Sequence, residues 1–520
     1  MKIVTAAQMQ ELDRRTIEEA GVRGATLMNR AGAGVVSTLE AIFGSPSGKS
    51  ISIFCGKGNN GGDGFVVASL LRRKHATVQV CLLGNPTELK GDAKLMYTRF
   101  TKSSPGSKVQ VNPSEKTIWA MLGKSHVVVD ALLGTGISSP VKERYRTAIE
   151  AINDSGVPTV AVDLPSGIHT DTGAILGSAV RATLTVTFGY PKLGLYLGPA
   201  IDFVGQIHCV DIGIPDHFIE GLEVKSHLIT APEVRNLLPS RPMSSHKGTF
   251  GHAGIIAGSP GKTGAAALGA IAALRVGTGL VTVGTPSSVN PTLEAKVLEA
   301  MTAPLPETEE CTVSHGALTQ MREFAQTRSA IAIGPGLTTH PETTEVVRSF
   351  IPKLEHPFVV DADGLNALVG HTDLLRVCKS MPILTPHPGE MARLIGQSNS
   401  RSINNDRLGV ALRFAQAHGT MVVLKGARTI IAGPNGLAAI CPTGNPGMAT
   451  AGMGDVLTGM LVGLLAQGLS PWDAARAGVF LHGLAGDLAA QDLGQAGMIA
   501  GDLLDCIPHA IVQVQQEDRI

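Results

Sequence analysis

The chain has 520 residues, 43% hydrophobic and 17% charged, which excludes a disordered protein and predicts more than one folded core. Its 43 Lys and Arg balance 43 Asp and Glu, and only 4% are aromatic, so no overall field or base-stacking surface points to nucleic acid or an anionic membrane. Seven scattered cysteines without a CxxC, a start too soon charged for a signal peptide, and no apolar run of membrane-spanning length predict a reducing, cytoplasmic setting.

Residues 6–43 read as two helices split at Gly21 and Gly24, with Leu12, Ile17, Ala20, Leu27 and Val35 among the apolar positions. SISIFC (50–55) is a β-rich run that feeds GKGNNGGDG and then a helix, the opening of an α/β unit. Strand-like runs at 77–83, 126–134, 159–167 and 183–189 predict a mostly parallel sheet covered by helices. Gly56, Gly58 and Gly61 fit the dinucleotide pattern G-x-G-x-x-G. The acidic residue that should end the second strand is replaced by Gly84-Asn85, which argues against an ordinary NAD dehydrogenase.

Polar groups fall at strand C-terminal ends, where open α/β sheets bind ligands. They are Asn60 with Asp63, Asp130, and Asp163 with Ser166. Each alone reads as a loop cap; together they read as a site. Asn60, Asp130 and Ser166 offer hard oxygen ligands with one formal charge, which suits a weakly held cation better than zinc. The GTGISSP run (134–140) offers amides and hydroxyls to a phosphate.

GKGNNGGDG, VVDALLGTG, AVDLPSGIHTDTG, TVTFGYPKLGL and VDIGIP occur in order over residues 1–220, which resembles the NAD(P)H-hydrate epimerase domain. The resemblance implies a Rossmann-like fold and potassium on Asn60, Asp130 and Ser166. It implies a hydrated nucleotide held by Asn59, Asn60, Gly61, Gly62, Asp63, Asp163 and the run Gly134, Thr135, Gly136, Ile137, Ser138, Ser139, Pro140. Asp163 is the expected proton-transfer residue. Asn29 departs from the Glu usual in that family and is assigned no catalytic part.

Prolines 232, 239 and 242 mark a join, with one short helix in HLITAPEVRNLLP. A second α/β series follows. Strand-like runs at 253–258, 280–284, 330–336, 358–365, 382–390 and 420–426 each end in glycine, proline or a polar cluster. Residues 264–279 read as a buried, alanine-rich helix packed tightly through small residues. GSPGKTG (258–264) lacks the first glycine of a P-loop, so Lys262 and Thr263 read as a lid or loop.

TGNPGMATAGMGDVLTG (443–459) reads as a glycine-rich turn feeding a helix that starts near Gly454, with Gly452 and Gly454 allowing the turn and close approach of a ligand. The free amides and positive dipole of a helix start would seat a phosphate. Asp455 there is either a cap or a base that deprotonates an attacking hydroxyl. Lys425 follows a strand and can reach a phosphate, or it is solvated. His387, between two prolines, is a structural histidine or a ligand. Asp361 and Asp363 read as helix caps in preference to a magnesium shell, and His482 as a satisfied core histidine.

KGTFGHAGIIAGSPGKTGAAALGA, AIGPGL, VVDADGLNAL, LTPHPGEMARL, VLKGARTIIAGP, GNPGMATAGMGDVLTG and FLHGLAGDLAA span 247–490, which resembles the ADP-dependent NAD(P)H-hydrate dehydratases of ribokinase-like fold. The resemblance implies that Lys425, Gly426, Ala427, Arg428, Thr429 and Gly454 bind the adenine nucleotide, with magnesium. It implies that Ala265, Gly336, His387 and Asp455 face the hydrated dinucleotide, with Asp455 catalytic. The chain is therefore expected to be α/β, with a Rossmann-like domain (1–220) and a ribokinase-like domain (221–520). The expected activity epimerises hydrated NADH and NADPH, then dehydrates the S form at the expense of ADP, giving AMP and phosphate. A homo-oligomer acting on small molecules, with no nucleic acid or membrane partner, is the expected assembly. Two rivals stand: a ribokinase-like small-molecule kinase fused to a nucleotide-binding module, and a non-catalytic NAD sensor.

Overall fold

The computed structural model describes residues 1–103 and 109–516. Chain contacts divide it into two compact units, Lys2–Ser226 and His227–Ile520, the second including Met1.

In the first unit the two N-terminal helices form as Ala6–Glu18 and Gly24–Phe43. Thr5 and Gln8 close a capping box on the first, satisfying two backbone N–H groups that a helix start leaves free. Seven strands follow: β1 (Ser50–Cys55), β2 (Thr77–Leu82), β3 (Val109–Val111), β4 (Val127–Ala131), β5 (Thr159–Val162), β6 (Leu184–Phe188) and β7 (Gln206–Val210). They pair in parallel in the order β3-β2-β1-β4-β5-β6-β7. The inner strands β1, β4, β5 and β6 are almost wholly buried, which is why they are rich in apolar and β-branched residues, with buried Ser52, Thr185 and Thr187 among them. The edge strands β3 and β7 are part-exposed, and their sequences carry no such run. One face packs under Phe65, Val67 and Leu71 with Val35 and Leu39; the other packs under Ile118, Leu122, Ile149 and Ile152. Each large apolar side chain buried this way contributes about 1.5–3 kcal/mol.

Strand order reverses between β1 and β4, so the loops leaving their C-terminal ends open a crevice. Those loops approach closely. A Cβ on Gly56 would lie 1.8 Å from the Leu132 carbonyl oxygen, and one on Gly61 would lie 2.0 Å from that of Gly56.

The second sheet contains β8 (Ser226–Leu228), β9 (His252–Ile256), β10 (Leu280–Pro286), β11 (Met301–Leu305), β12 (Ala330–Ile333), β13 (Phe358–Val360), β14 (Pro382–Leu384), β15 (Met421–Leu424), β16 (Ile430–Ala432) and β17 (Ala438–Ile440). Its order is β11-β10-β9-β12-β13-β14-β15-β16-β17-β8. Pairing is parallel from β11 to β15 and antiparallel through β16 and β17. The reversal here lies between β9 and β12, whose loops are joined by a Gly258 N–H to Pro335 carbonyl bond of 2.9 Å.

Two helices, Thr263–Arg275 and Met453–Ala466, cross behind this reversal. Small residues let their backbones meet: a Cβ on Gly459 would lie 2.1 Å from the Gly269 carbonyl oxygen. The expected tight packing of the alanine-rich helix is therefore present. Among the described residues, no helix is long and apolar enough to cross a membrane.

Candidate functional sites

The crevice of the first unit is a cavity of about 660 Å³. Asn59, Asn60, Asp63, Asp163 and the whole run Gly134–Pro140 line it. Gly61 and Gly62 do not; they are buried in the Asn59–Arg73 helix, Gly61 against Gly56 and Gly62 against Met28 and Ala93.

Beside the cavity, Asp130 is fully buried at the end of β4. Its carboxylate accepts the Ser166 hydroxyl at 2.6 Å and N–H groups of Ser166 and Leu132 at 2.8 and 3.2 Å. Burial outweighs these donors and raises its pKa to about 6. The Asn60 amide donates to the Leu133 carbonyl at 3.0 Å, while its buried Oδ1 has no partner among the described residues. An orphaned amide oxygen next to a buried carboxylate and a hydroxyl suits a cation that prefers hard oxygen. Among the described residues there is no cluster of His, Cys, Asp and Glu for a transition metal.

Asp163, just past β5, has φ +66, a backbone state that non-glycine residues hold only when the surroundings enforce it. Its Oδ1 accepts the Lys192 ammonium at 2.6 Å and the Thr187 hydroxyl at 3.0 Å. Lys192 is 1% exposed and spends its other two donors on Thr187 Oγ1 and the Phe188 carbonyl. The sequence reading misses Lys192. The available signal was a lone charge inside YPKLGLYLG, since a buried lysine needs a partner.

In the second unit, Gly452 makes the turn, at φ +90, and the helix begins at Met453. Gly454 is already helical, which corrects its expected part in the turn; a Cβ there would lie 3.3 Å from the Lys425 ammonium, so its smallness keeps that approach open. Asp455 stands in the first helical turn, half-buried. Burial raises its pKa to about 6; Asp361 and Asp363 add to the rise and Lys425 opposes it.

Lys425 is not solvated. It contacts Asp361 at 2.7 Å and Glu390 at 3.8 Å. Burial alone would lower its pKa, but Asp361 and Glu390 outweigh that and raise it. Asp361 is thus not a helix cap: it is buried, ion-paired, and accepts the Thr458 hydroxyl at 2.8 Å. Asp363 is not a cap either: its helix starts on Ala362 without a side-chain cap bond, and Asp363 accepts the Thr338 N–H, 25 residues away, at 2.8 Å and the Asn366 amide at 3.2 Å. His387 forms a capping box, its Nδ1 accepting from Gly389 and Glu390 while Glu390 accepts its N–H. His482 is a buried, neutral core histidine bonded to the Met453 carbonyl at 2.9 Å, and burial lowers its pKa to about 4.

Gly426 and Ala427 are exposed beyond β15, followed by Arg428 and Thr429. Arg407, unremarked in the sequence, holds the back of this loop through the carbonyls of Leu424, Lys425 and Ala427. Gly336 accepts the Ser259 hydroxyl at 2.7 Å across the strand-order reversal, and Ala265 lies in the first turn of the Thr263–Arg275 helix. Thr263 starts that helix and Lys262 caps it, reaching Asp363 at 3.5 Å.

A family described as NAD(P)H-hydrate dehydratase matches residues 253–509, and one described as YjeF-related protein N-terminus matches residues 24–194. The bifunctional NAD(P)H-hydrate repair enzyme Nnr of Moorella thermoacetica is 44% identical over 530 residues, covering 99% of this chain and 98% of that protein. The enzyme of the same name from Escherichia coli is 36% identical over 505 residues, covering 96% and 93%. A solved ADP/ATP-dependent NAD(P)H-hydrate dehydratase from Bacillus subtilis, co-crystallised with ATP and Mg2+, aligns at 33% identity and a TM-score of 0.49, over 55% of this chain and 98% of that one.

Proposed function

The chain belongs to the family of bifunctional NAD(P)H-hydrate repair enzymes, and from that premise we propose how its two halves divide the work. The substrate is NADH or NADPH that has added water across a ring double bond. It has two epimers at the hydroxylated carbon and has lost its reducing function. The first unit, of Rossmann-like fold, interconverts the epimers. The second, ribokinase-like unit dehydrates the S epimer with ADP, yielding AMP and phosphate.

The hydroxyl is a poor leaving group, and phosphorylation makes it a good one. Asp455 takes the hydroxyl proton as the oxygen attacks the terminal phosphate of ADP; elimination then restores the reduced ring. The N–H groups at the start of the Met453–Ala466 helix face the transferring group, and Lys425 balances phosphate charge. Gly426, Ala427, Arg428, Thr429 and Gly454 hold the nucleotide; Ala265, Gly336 and His387 hold the dinucleotide. Magnesium would arrive with the nucleotide and supply charge neutralisation when bound; among the described residues no cluster of His, Cys, Asp and Glu forms a cage for it.

In the first unit, Asp163 moves the proton at the hydroxylated carbon. Potassium, held by Asn60, Asp130 and Ser166, supplies positive charge beside the substrate loop when bound. The orphaned Asn60 Oδ1 supports that assignment.

The observation that carries the reading is Asp455 itself: a part-buried carboxyl in the first turn of a helix, near the paired Lys425, its pKa raised by burial to about 6. The test supplies both epimers of hydrated NADH with ADP and follows absorbance of the reduced ring. Full recovery of both epimers is expected. Phosphate transfer to an unrelated metabolite, or tight binding without turnover, would overturn the reading.

A further inference from the structure

Asp163 is not the only carboxyl on its cavity. Asp63, from the Asn59–Arg73 helix, and Asp13, from the Ala6–Glu18 helix, line the same space with Lys192. A lysine ammonium has three donors, and Lys192 gives all three to Asp163, Thr187 and Phe188. Neither Asp13 nor Asp63 accepts a side-chain hydrogen bond among the described residues. Four carboxyls, Asp13, Asp63, Asp92 and Asp163, therefore share one cavity with Lys57, Lys142 and Lys192; Lys57 pairs with Glu88 and Lys192 with Asp163, and among the described residues no lysine bonds Asp13 or Asp63. Such a cluster keeps protons on the carboxyls that lack a partner.

The substrate chemistry has a use for that proton. Its hydroxyl sits on a carbon bonded to the ring nitrogen, so the group is a hemiaminal. Such a centre inverts by opening, which removes a proton from oxygen and delivers one to nitrogen. One carboxyl cannot do both at opposite sides of the carbon.

We propose that Asp63 is the proton donor of the epimerisation, working with Asp163 as base, and that Asp13 helps keep Asp63 protonated. This deepens the repair reading and rests on it. Asp163 takes the hydroxyl proton through Oδ2, the oxygen not bonded to Lys192 and Thr187. The C–O bond becomes a carbonyl as the bond from that carbon to the ring nitrogen breaks. The electron pair goes to nitrogen, which takes the proton of Asp63. The open-chain aldehyde rotates about the bond to its carbonyl carbon. Nitrogen then attacks the other face, Asp63 regains its proton, and Asp163 returns the other to oxygen. No atom or electron is gained or lost, and no co-reactant is needed.

The electrostatics agree with these roles. Burial, reinforced by Asp163 and Asp13 and opposed by Lys192, raises the Asp63 pKa well above the usual carboxylate range. Burial also raises that of Asp13, to about 6, with Lys192 opposing and Asp163 adding.

The test uses the full chain and a single purified epimer. Asp63→Asn should lower kcat for epimerisation about 10²–10⁴-fold with KM within threefold of wild type, the signature of a lost acid and not of lost binding. Asp13→Asn should lower it less. In the wild type, hydroxylamine should trap an aldehyde during turnover, a measurement that needs no variant to fold. An Asp63→Asn protein with kcat within threefold of wild type, or with its loss confined to KM, overturns the proposal. So does inversion that exchanges the oxygen with ¹⁸O-water at every turnover without a trappable aldehyde, because hydroxide would then be leaving. A wild type that interconverts no epimers sinks the repair reading itself, a different result from an active wild type matched by Asp63→Asn.

Discussion

Both halves of the chain place a lysine and a carboxylate partner just past the C-terminal ends of parallel strands, near a proposed base, but they connect them differently. In the first unit Lys192 grips the proposed base directly, at 2.6 Å from Asp163. In the second, Lys425 grips a different carboxylate, Asp361, at 2.7 Å, and Asp455 stays outside the pair. The difference matches the chemistry each half is asked to do. Asp163, as the proposed base of epimerisation, would work on a substrate that must leave as easily as it came, so a fixed carboxylate oxygen with its neighbour free is enough. Asp455, as the proposed base, would take a proton while a phosphate arrives, and burial without a direct cation raises its affinity for that proton.

The sharpest way to break this comparison is to remove each base in turn. Asp455→Ala should lower ADP-dependent recovery of the reduced ring about 10²–10⁴-fold and leave epimer interconversion intact; Asp163→Asn should do the reverse. Assaying each variant for both reactions checks this, and cross-inhibition would mean that the halves are not independent catalysts. Next in size is the lysine. Lys192→Met leaves Asp163 partly buried without its cation and should cost about 3–5 kcal/mol in urea unfolding. Lys425→Met should cost more, because the carboxylate it strands, Asp361, is 2% exposed against 14% for Asp163. Equal losses would erase the distinction drawn here.

A smaller effect should follow Thr458→Val, which removes a hydrogen bond to the buried Asp361 and should cost about 1.5–3 kcal/mol by the same measurement. The last is a pH profile. As a base, Asp455 would act only when deprotonated, so kcat/KM for dehydration should rise about tenfold per pH unit below pH 6 and level off above it. A profile flat from pH 5 to 7 would remove Asp455 as the titrating base.

The sequence made the sheets legible where strands are buried on both faces, because β1, β4, β5, β6, β9 and β12 are rich in Val, Ile, Ala and Phe and interrupted mainly by small polar residues such as Ser52, Thr185 and Thr187. It hid β3, β7 and β11, which lie at sheet edges, and the short antiparallel pair β16 and β17. Ligand-facing turns were legible as glycine and polar clusters after strands. What stayed hidden was pairing over distance. Asp163 and Lys192 lie 29 residues apart, Asp361 and Lys425 64 apart, and no local pattern records either bond. That is why Asp361 read as a cap and Lys425 as a residue with nothing but phosphate or water to meet. Gly454 read as a turn residue because a glycine needed for space and one needed for its dihedral angles look alike in a sequence.

The contact of Gly459 with the Gly269 carbonyl has a further consequence. Gly459 lies one turn beyond Asp455 on the same helix face, so main chain, not side chain, sets the depth of the carboxyl. A mismatch between two backbones cannot be absorbed by a rotamer change. Random mutagenesis should therefore find inactive proteins with alanine at Gly459 but tolerate it at Gly269, where a Cβ would stand 3.5 Å from the Asp455 carbonyl oxygen: here accuracy at the chemistry is a tolerance held elsewhere, in the fit of two bare stretches of polypeptide.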